Sequence, residues 1–448
     1  MALSGIQIYK LLPQTNCKEC GFPTCLAFAM KLAAKQVELS SCPYVSEESK
    51  AQLAESAAPP IRLVTLKSDG YELKAGNEVV LFRHEKTFYN KPGLFLRVLD
   101  TLSEAEIKAL VATADAYSVN YVGIDLSLDG FAVACMSGEA AKFAQAVKAV
   151  RQVSHRPLIL MSRDPHIARA GLDALADGET PLLYAADQEN WEAMAELAKE
   201  KKSALAIAAP TLEDLAGLTE KVKAKGVEDL VLDPGGRHFT PHLTLSTQIR
   251  RLALKKNYRP LGYPIISFPG DIGDPGLEAM LAAQAIAKYS GFIVLDRFSP
   301  ASIYPLLVLR QNIYTDPQKP IQVQPGLYEI NAPKPEDPLL VTTNFSITYF
   351  SVANEVEGAG LPAWLLVADA EGMSVLTAWA AGKFDAERIA KAVKEFSATE
   401  KVSRKRLVIP GHVAVLSGEL EEELPGWEIR VGPREAVDLP AYIRQALN

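Results

Sequence analysis

Four of the five cysteines in this 448-residue chain lie within its first 42 residues. Cys17, Cys20, Cys25 and Cys42 follow the spacing C-x2-C-x4-C-x16-C, and the fifth, Cys135, lies far downstream. Thiolates are soft ligands, and four of them delivered from several directions can hold an iron–sulfur cluster. The spacing therefore predicts these four cysteines as the ligands of a cluster.

Two other uses of clustered cysteines compete with this prediction. Disulfide bonds need an oxidising compartment, and Met1–Lys10 lacks the basic and apolar regions of a secretory signal. Structural zinc also takes four sulfur ligands, so spacing alone does not separate a zinc site from a cluster. Zinc sites more often pair two C-x2-C knuckles, however, and a single knuckle followed by x4 and x16 favours the cluster.

The residues around the cysteines predict how the loop is held. Gly21 and Pro23 keep the segment before Cys25 irregular, and Thr24 is placed to cap a helix from Cys25 to Val37. Apolar residues near the 3.6-residue period form one face of that helix, which we expect to cover the cluster. This face consists of Leu26, Ala29, Met30, Ala33 and Val37.

Composition narrows the class of protein. The chain has 47 basic and 54 acidic residues, a net charge of −7, which argues against nucleic acid as a partner. No apolar run approaches the length of a membrane span, so no membrane association is expected. Reduced thiols without a targeting segment predict a cytoplasmic protein. The length suggests about three domains of ordinary size.

The N-terminal part of the chain predicts a cluster domain followed by a connector. Pro43–Pro60 is polar, alanine-rich and closed by two prolines, so residues 1–60 are interpreted as a mobile cluster domain with its tether. Residues 61–91 alternate like strands and predict a small β connector with a turn at Asp69-Gly70. Its expected strands are Arg62–Lys67, Glu72–Lys74 and Glu78–His84.

Residues 92–330 repeat a βα unit eight times, which predicts a closed (β/α)8 barrel similar to a TIM barrel. After a first unit at Leu94–Ala116, the expected strands are Tyr121–Leu126, Pro157–Met161, Pro181–Ala186, Ala204–Ala209, Asp229–Leu232, Pro264–Phe268 and Gly291–Leu295. Polar turns follow several strands, where barrel sites form. They include Asp125, Ser162–Asp164, Asp233–His238, Pro269–Asp274 and Asp296-Arg297. A structural role is favoured for this face over a ligand site.

Residues 331–448 predict a doubly wound, Rossmann-like α/β domain. Its expected strands are Ala363–Ala368, Arg406–Ile409 and Trp427–Val431. Ligands of such sheets bind at the loops after the strands, here Asp369–Ser374, Pro410–Val413 and Gly432–Arg434. No G-x-G-x-x-G or G-x-x-x-x-G-K-[ST] motif follows a strand, so neither a nicotinamide cofactor nor a nucleoside triphosphate is indicated.

The run PQTNCKECGFPTCLAFAMKLA, with Cys42-Pro43 downstream, resembles the [4Fe-4S] domain of the large (gamma) subunit of corrinoid/iron–sulfur proteins. The resemblance extends along the whole chain as cluster domain, tether, barrel and cobamide-binding α/β domain. It implies a methyl carrier in which Co(I) accepts a methyl group from methyltetrahydrofolate, held by a separate methyltransferase. The methyl group then passes to acetyl-CoA synthase, and the cluster returns Co(II) to Co(I).

The resemblance also implies site residues and partners. Cys17, Cys20, Cys25 and Cys42 correspond to the [4Fe-4S] ligands. The cobamide is expected base-off without a protein histidine ligand, since the D-x-H-x-x-G signature fails at Arg169. Implied partners are a small barrel subunit forming a heterodimer, the methyltransferase, acetyl-CoA synthase and a reductive activator. The expected cobamide contacts are Thr343, Ser346, Ala370, Glu371, Gly372, Met373, Ser374, Thr377, Gly432 and Pro433.

Two other functions remain open. The chain could be an iron–sulfur electron-transfer subunit whose C-terminal domain binds flavin or another protein. Alternatively, its barrel could itself be a pterin-dependent methyltransferase.

Overall fold

The computed structural model describes residues 5–33, 36–46, 48–50, 53, 59–121, 124–316 and 321–446. Its contacts divide the chain into two compact units. One unit comprises Met1–Ser118 and Ser127–Tyr314, and the other comprises Val119–Leu126 and Thr315–Asn448. Much of the predicted tether, at residues 47, 51–52 and 54–58, lies outside the described residues. No helix in the described ranges is both long and apolar enough to cross a membrane.

The cysteine-rich segment forms two short helices, Gly5–Leu11 and Cys25–Ala33, and a 3-10 turn at Leu39–Ser41. The backbone N–H of Ala27 donates to Thr24 Oγ1 over 3.1 Å, which confirms the predicted cap. The predicted apolar face is only partly buried: Ala29 is buried together with Phe28, whereas Leu26 and Met30 are 41% and 48% exposed. The buried residues pack with Ile8 of the first helix and with Leu12, which follows that helix.

A closed barrel of eight parallel strands forms the core of the first unit. We number all strands in chain order. An antiparallel hairpin precedes the barrel, with β1 at Val64–Ser68 and β2 at Tyr71–Ala75, and β4 (Ser118–Tyr121) and β5 (Ile124–Ser127) form a separate two-stranded sheet. The barrel strands are β3 (Gly93–Leu99), β6 (Gly130–Ala134), β7 (Leu158–Met161), β8 (Leu182–Ala186), β9 (Ala204–Ala208), β10 (Leu230–Asp233), β11 (Ile265–Ser267) and β12 (Ser290–Leu295).

Helices follow the barrel strands as the sequence predicts. They are Glu104–Asp115, Ala140–Arg151, Pro165–Leu172, Trp191–Lys201, Leu212–Ala224, Phe239–Lys256, Pro275–Ala287 and Pro300–Ile313, with 3-10 turns at Arg259–Leu261 and Pro269–Ile272. Closure comes from pairing of β3 with β12 at one seam and with β6 at the other.

One predicted barrel strand, Tyr121–Leu126, is wrong. The second barrel strand is β6, whose five residues are all buried, whereas β4 alternates between exposed and partly buried positions and β5 buries only Leu126. Buried parallel strands have continuous apolar sequences, and alternation is typical of half-exposed ones. Tyr121 packs against the core of the second unit, so the predicted polar turn at Asp125 does not follow a barrel strand.

The predicted connector at residues 61–91 closes the N-terminal end of the barrel. Val64, Leu66 and Ala75 of the hairpin are fully buried in one cluster with inward-facing residues such as Phe95 and Phe292. The hairpin is tied to loops that precede barrel strands, as when Lys67 pairs with Thr180. The third predicted strand, Glu78–His84, is wrong, because this segment is irregular.

The second unit contains a five-stranded sheet in the order β13-β15-β14-β16-β17. Its strands are β13 (Gly326–Ile330), β14 (Leu339–Thr343), β15 (Ala363–Ala368), β16 (Arg406–Ile409) and β17 (Glu428–Val431). The helices are Ser346–Gly358, Val375–Ala380, Ala386–Glu395, Ala398–Lys401, Ser417–Glu423 and Leu439–Ala446, with 3-10 turns at Gly411–Leu416 and Ala436–Asp438.

This sheet is parallel except at one edge, where β13 runs antiparallel to β15. The predicted boundary at residue 330 therefore cuts off the edge strand β13, which belongs to the C-terminal sheet. Ignoring that edge strand, the order second-first-third-fourth is that of flavodoxin-like doubly wound sheets.

We expect the buried hairpin to contribute directly to barrel stability. Replacing Leu66 by Ala removes a side chain that is 0% exposed, which should lower the free energy of unfolding by about 2–5 kcal/mol. Lys67→Ala is the matched control, because the neighbouring Lys67 side chain is 58% exposed and should change stability by less than about 0.5 kcal/mol. Calorimetric unfolding of both variants tests this. Equal effects would show that the hairpin is not part of the core.

Candidate functional sites

The C-terminal sheet opens at its topological switch point, between β14 and β16. These two strands pair only at Leu339↔Leu407 and Leu340↔Val408. By contrast, β14 stays paired with β15 up to Thr343↔Ala368. Past the last shared pair the two strands part. Ligands of doubly wound sheets bind at the carboxyl ends of strands where the winding reverses, which is where this opening lies.

A cavity of about 500 Å³ occupies this position. It is bounded by the ends of β14 and β16, by the helix Ser346–Gly358 and by the three loops predicted from the sequence. Its apolar lining includes Val341, Ile347, Val352, Leu376, Ile409 and Val437, and its polar lining includes Thr342, Thr348, Ser351, Ser374, His412 and Arg434.

The end of β14 contains hydroxyl groups without partners, and that of Thr342 lines the cavity. Thr342 and Thr343 are both 0% exposed, and neither hydroxyl oxygen has a hydrogen-bond partner within the part of the chain that the structure describes. A buried hydroxyl without a partner costs stability, so such groups call for an explanation. A ligand in the cavity that bonds to Thr342 would supply one for that hydroxyl.

Asn344 holds the loop after β15 in place. Its Oδ1 accepts hydrogen bonds of 2.9 Å from the backbone N–H groups of Ala370 and Gly372. Its Nδ2 donates to Gln322 at 3.3 Å and to Asp369 at 3.1 Å. Gly372 has φ +73°, and a Cβ there would lie 2.6 Å from the side chain of Gln322, so only glycine fits.

Three of the ten predicted contacts line the cavity, namely Ser374, Gly432 and Pro433. Thr343 is the buried last residue of β14, and Thr377 hydrogen-bonds Ser374 over 3.0 Å. Ser346 begins the helix after β14. Ala370, Glu371, Gly372 and Met373 form the turn held by Asn344, and Glu371 pairs with Lys383. These seven residues lie around the cavity lining and remain predicted contacts.

Sequence reasoning missed Thr348 and Ser351 because β14 and the helix after it were not recognised. His412 and Arg434 were not among the expected contacts, although both lie in loops that the strand pattern had marked as ligand loops. The signal for these residues was therefore present in the loops themselves.

The cysteine-rich loop is tied at both ends by hydrogen bonds. The backbone N–H of Cys25 donates to Asn16 Oδ1 over 2.8 Å, and the Tyr44 hydroxyl donates to Glu19 Oε1 over 2.8 Å. The bond to Glu19 and the charge of that carboxylate are the main causes that raise the pKa of Tyr44, and the nearby Cys17 and Cys42 add smaller contributions. Tyr44 is therefore close to cysteines from both ends of the motif.

All four predicted ligands are free thiols, and the buried Cys25 and Cys42 share an apolar cluster with Cys20. An all-sulfur donor set suits an iron–sulfur cluster. Within the described ranges, no three His, Cys, Asp or Glu side chains converge to hold a metal ion. The ligand assignment therefore stays a prediction, based on the spacing and on the ties that close the loop.

The mouth of the barrel is filled by its own ion pairs. Asp233, 2% exposed, accepts hydrogen bonds of 2.7 Å from Tyr184 and Arg237. Burial alone would raise the pKa of Asp233, but these hydrogen bonds outweigh it and hold the pKa below its usual range. Asp271 then bridges Arg237 at 2.9 Å and Arg97 at 2.8 Å. This pairing favours the structural role expected for the barrel face.

Comparison with known proteins agrees with this organisation. Residues 63–443 match the family described as CO dehydrogenase/acetyl-CoA synthase delta subunit, and residues 12–44 match the family described as putative Fe-S cluster. The chain is 45% identical over 447 residues to the corrinoid/iron–sulfur protein large subunit of Moorella thermoacetica, covering 100% of both chains. It is 36% identical to the acetyl-CoA decarbonylase/synthase complex subunit gamma of Methanopyrus kandleri, covering 99% of this chain and 98% of that one.

Among solved structures, a dihydropteroate synthase from Thermus thermophilus aligns with 56% of this chain and 99% of its own, at 16% identity and a TM-score of 0.37. The family matches, by contrast, span nearly the whole chain. They define the class as a subunit of the CO dehydrogenase/acetyl-CoA synthase type that carries an N-terminal Fe–S motif. Within that class, the chain belongs to the family of corrinoid/iron–sulfur protein large subunits.

We expect Asn344→Asp to destabilise the C-terminal unit in a pH-dependent way. The new carboxyl would be buried and would face Gln322 Oε1 and Asp369 without a donor, so its pKa should rise. The loss of stability, about 2–4 kcal/mol at neutral pH, should shrink as pH falls and the new carboxyl becomes protonated. Urea unfolding at pH 5 and pH 8 measures it.

The double variant Asn344→Asp/Asp369→Asn is the matched control. It exchanges the positions of the amide and the carboxylate, so the amide of residue 369 can donate to the carboxylate of residue 344. The double variant should therefore be more stable than the single variant. A single variant as stable as the parent at pH 8 would contradict the role given to Asn344.

Proposed function

We propose that this chain is a corrinoid methyl carrier. It receives a methyl group from methyltetrahydrofolate through a separate methyltransferase and delivers it to acetyl-CoA synthase. The observation that supports this best is the cavity at the switch point, which lies in a domain without a nucleotide-binding fingerprint. A relative named corrinoid/iron–sulfur protein large subunit, similar from end to end, supports the same assignment.

The cavity suits part of a large, amphiphilic cofactor. The unpartnered hydroxyl of Thr342, which lines the cavity, provides a buried hydrogen-bonding group. Three apolar side chains of the lining reach into solvent, since Ile347 is 66% exposed, Leu376 46% and Val437 65%. A broad apolar ring resting on these side chains would cover them, whereas a small polar ligand would not. We propose that Ser374, Gly432 and Pro433 contact the cobamide, with Thr343, Ser346, Ala370–Met373 and Thr377 around them.

The cluster is proposed at Cys17, Cys20, Cys25 and Cys42, as [4Fe-4S]. When bound, the cobamide supplies a Co(I) nucleophile that accepts the methyl group, and the cluster supplies the electron that restores Co(I) after oxidation. The protein's own part is to bind and shield these groups. Cys25 and Cys42 lie in an apolar core with Phe28 and Ala29, which limits access of water.

Partners follow from the same proposal. We infer a heterodimer with a small barrel subunit, and transient contacts with the methyltransferase, acetyl-CoA synthase and a reductive activator. A cytoplasmic location is proposed with them. The net charge of −7 supports the expectation that nucleic acid is not a partner.

Metal analysis tests the proposed function. The chain, purified anaerobically with its small subunit, should contain about four iron atoms and about one cobalt atom. Cys20→Ser should lose iron but keep cobalt. Cys135→Ser, which changes the one cysteine outside the motif, should keep both. Iron without cobalt, or flavin released on denaturation, would replace the proposal with the electron-transfer alternative.

The base-off state, without a histidine ligand, has its own test. His412 is the histidine that lines the cavity, and its Nε2 lies 3.9 Å from Glu435 Oε1. We expect the electron paramagnetic resonance spectrum of the Co(II) form to show no nitrogen hyperfine splitting, and His412→Ala to leave that spectrum unchanged. Nitrogen splitting that disappears in His412→Ala would show instead that His412 is a cobalt ligand.

A further inference from the structure

One wall of the cavity is built from two loops that are bonded to each other. The backbone N–H of Gly411 donates to Pro433 O over 3.0 Å, and that of Gly432 donates to Ile409 O over 2.9 Å. A Cβ on Gly411 would lie 2.6 Å from Gly432 O and 2.9 Å from the backbone nitrogen of Arg434. The close approach of the two loops therefore requires glycine at 411, and it fixes the backbone from which Arg434 projects.

The charge of Arg434 is not compensated by the protein. Arg388, Arg406 and Arg430 of the same unit each pair with a carboxylate. Among the residues that the structure describes, the Arg434 guanidinium has neither an ion pair nor a hydrogen bond. Its neighbour Glu435 lies within 3.9 Å of His412. A cation without a partner at the edge of a ligand cavity is suited to bind an anionic group of the ligand.

The other residues that line the cavity indicate what kind of ligand would place an anionic group near Arg434. Val341, Ile347 and Val352 form an apolar wall, and the buried floor contributes only the neutral hydroxyl of Thr342. Within the described part of the chain, Arg434 is the one arginine of the lining, and no lysine lines the cavity. The lining also contains the carboxylates of Glu355 and Glu435, so Arg434 is the one lining residue of Arg or Lys type that could bind an anionic group of a ligand.

We propose that Arg434 binds the phosphodiester of the nucleotide arm of the cobamide. This inference rests on the proposed function. A corrin ring carries neutral amide side chains, and the phosphodiester that links its nucleotide is an anion. The planar guanidinium can donate two parallel hydrogen bonds to two phosphate oxygens, a geometry that a lysine does not match. Arg434 is thus a specificity residue that favours complete cobamides over corrinoids without the nucleotide arm.

The test compares two corrinoids on the full chain co-produced with its small subunit. Cobalamin contains the phosphodiester, and dicyanocobinamide lacks the nucleotide arm. The parent protein should bind cobalamin more tightly than cobinamide. Arg434→Met should weaken cobalamin binding by about tenfold and leave cobinamide binding unchanged. Added salt should reduce the preference of the parent for cobalamin, because it screens the exposed charge.

Arg430→Met is the matched control. Arg430 lies on the neighbouring strand β17, outside the cavity lining, with a side chain that is 49% exposed and paired with Glu428. It should bind both corrinoids like the parent. Arg434→Lys should retain part of the preference for cobalamin, since lysine keeps the positive charge but cannot donate the two parallel hydrogen bonds of the guanidinium.

The possible results separate the two proposals. If Arg434→Met weakens both corrinoids equally or neither, the anchoring role is wrong and the proposed function stands. If the parent binds both corrinoids equally well, the anchoring role is again wrong. If the parent binds no corrinoid at all, the proposed function fails and the anchoring role fails with it.

Discussion

The parting of β14 and β16 is the constraint on which the C-terminal unit depends. A parallel sheet is stabilised by continuous ladders, and here one ladder stops after Leu340 and Val408 while the flanking ladders continue. The strand ends beyond this point lose hydrogen-bond partners and side-chain cover. The cavity, the unpartnered hydroxyls and the exposed apolar rim all lie at this opening. Hydrogen bonds hold the loops on each side of the gap, between Asn344 and the loop after β15 on one side and between the loops at Gly411 and Pro433 on the other.

The two sheets of this protein use parallel strands in opposite ways. The closed barrel pairs every strand on both sides, fills its base with the hairpin β1–β2 and fills its mouth with paired charges from Asp233 to Arg97. The open sheet keeps one incomplete seam, and that seam provides the space that a cofactor needs. The closed barrel and the open sheet are therefore both built from βα units, and the open sheet has a cavity at its incomplete seam.

Strands that are buried on both faces could be predicted from the sequence, because such strands consist of short, continuous apolar runs between turns. Seven of the eight barrel strands and three strands of the C-terminal sheet lie where the pattern indicates. The failures have physical causes. The segment that begins at Tyr121 has a strand-like sequence and was therefore predicted as a barrel strand. The two threonines at the end of β14 are residues that also occur in turns, so this strand was not predicted. At Cys25–Ala33 most positions are apolar, and packing against Ile8 decides which of them are buried. Arg434 lies in a predicted ligand loop, but whether an arginine there has a carboxylate partner depends on tertiary contacts that the sequence does not show.

The hairpin at the base of the barrel also has a consequence for synthesis on the ribosome. Val64 and Leu66 emerge early, yet their burial needs inward-facing residues as late in the chain as Phe292. Because β3 closes against β12, the barrel cannot shut until Ser290–Leu295 has left the exit tunnel. Until then an apolar hairpin and an open sheet edge are exposed to other chains. This stage of synthesis therefore exposes apolar surface that the finished barrel buries.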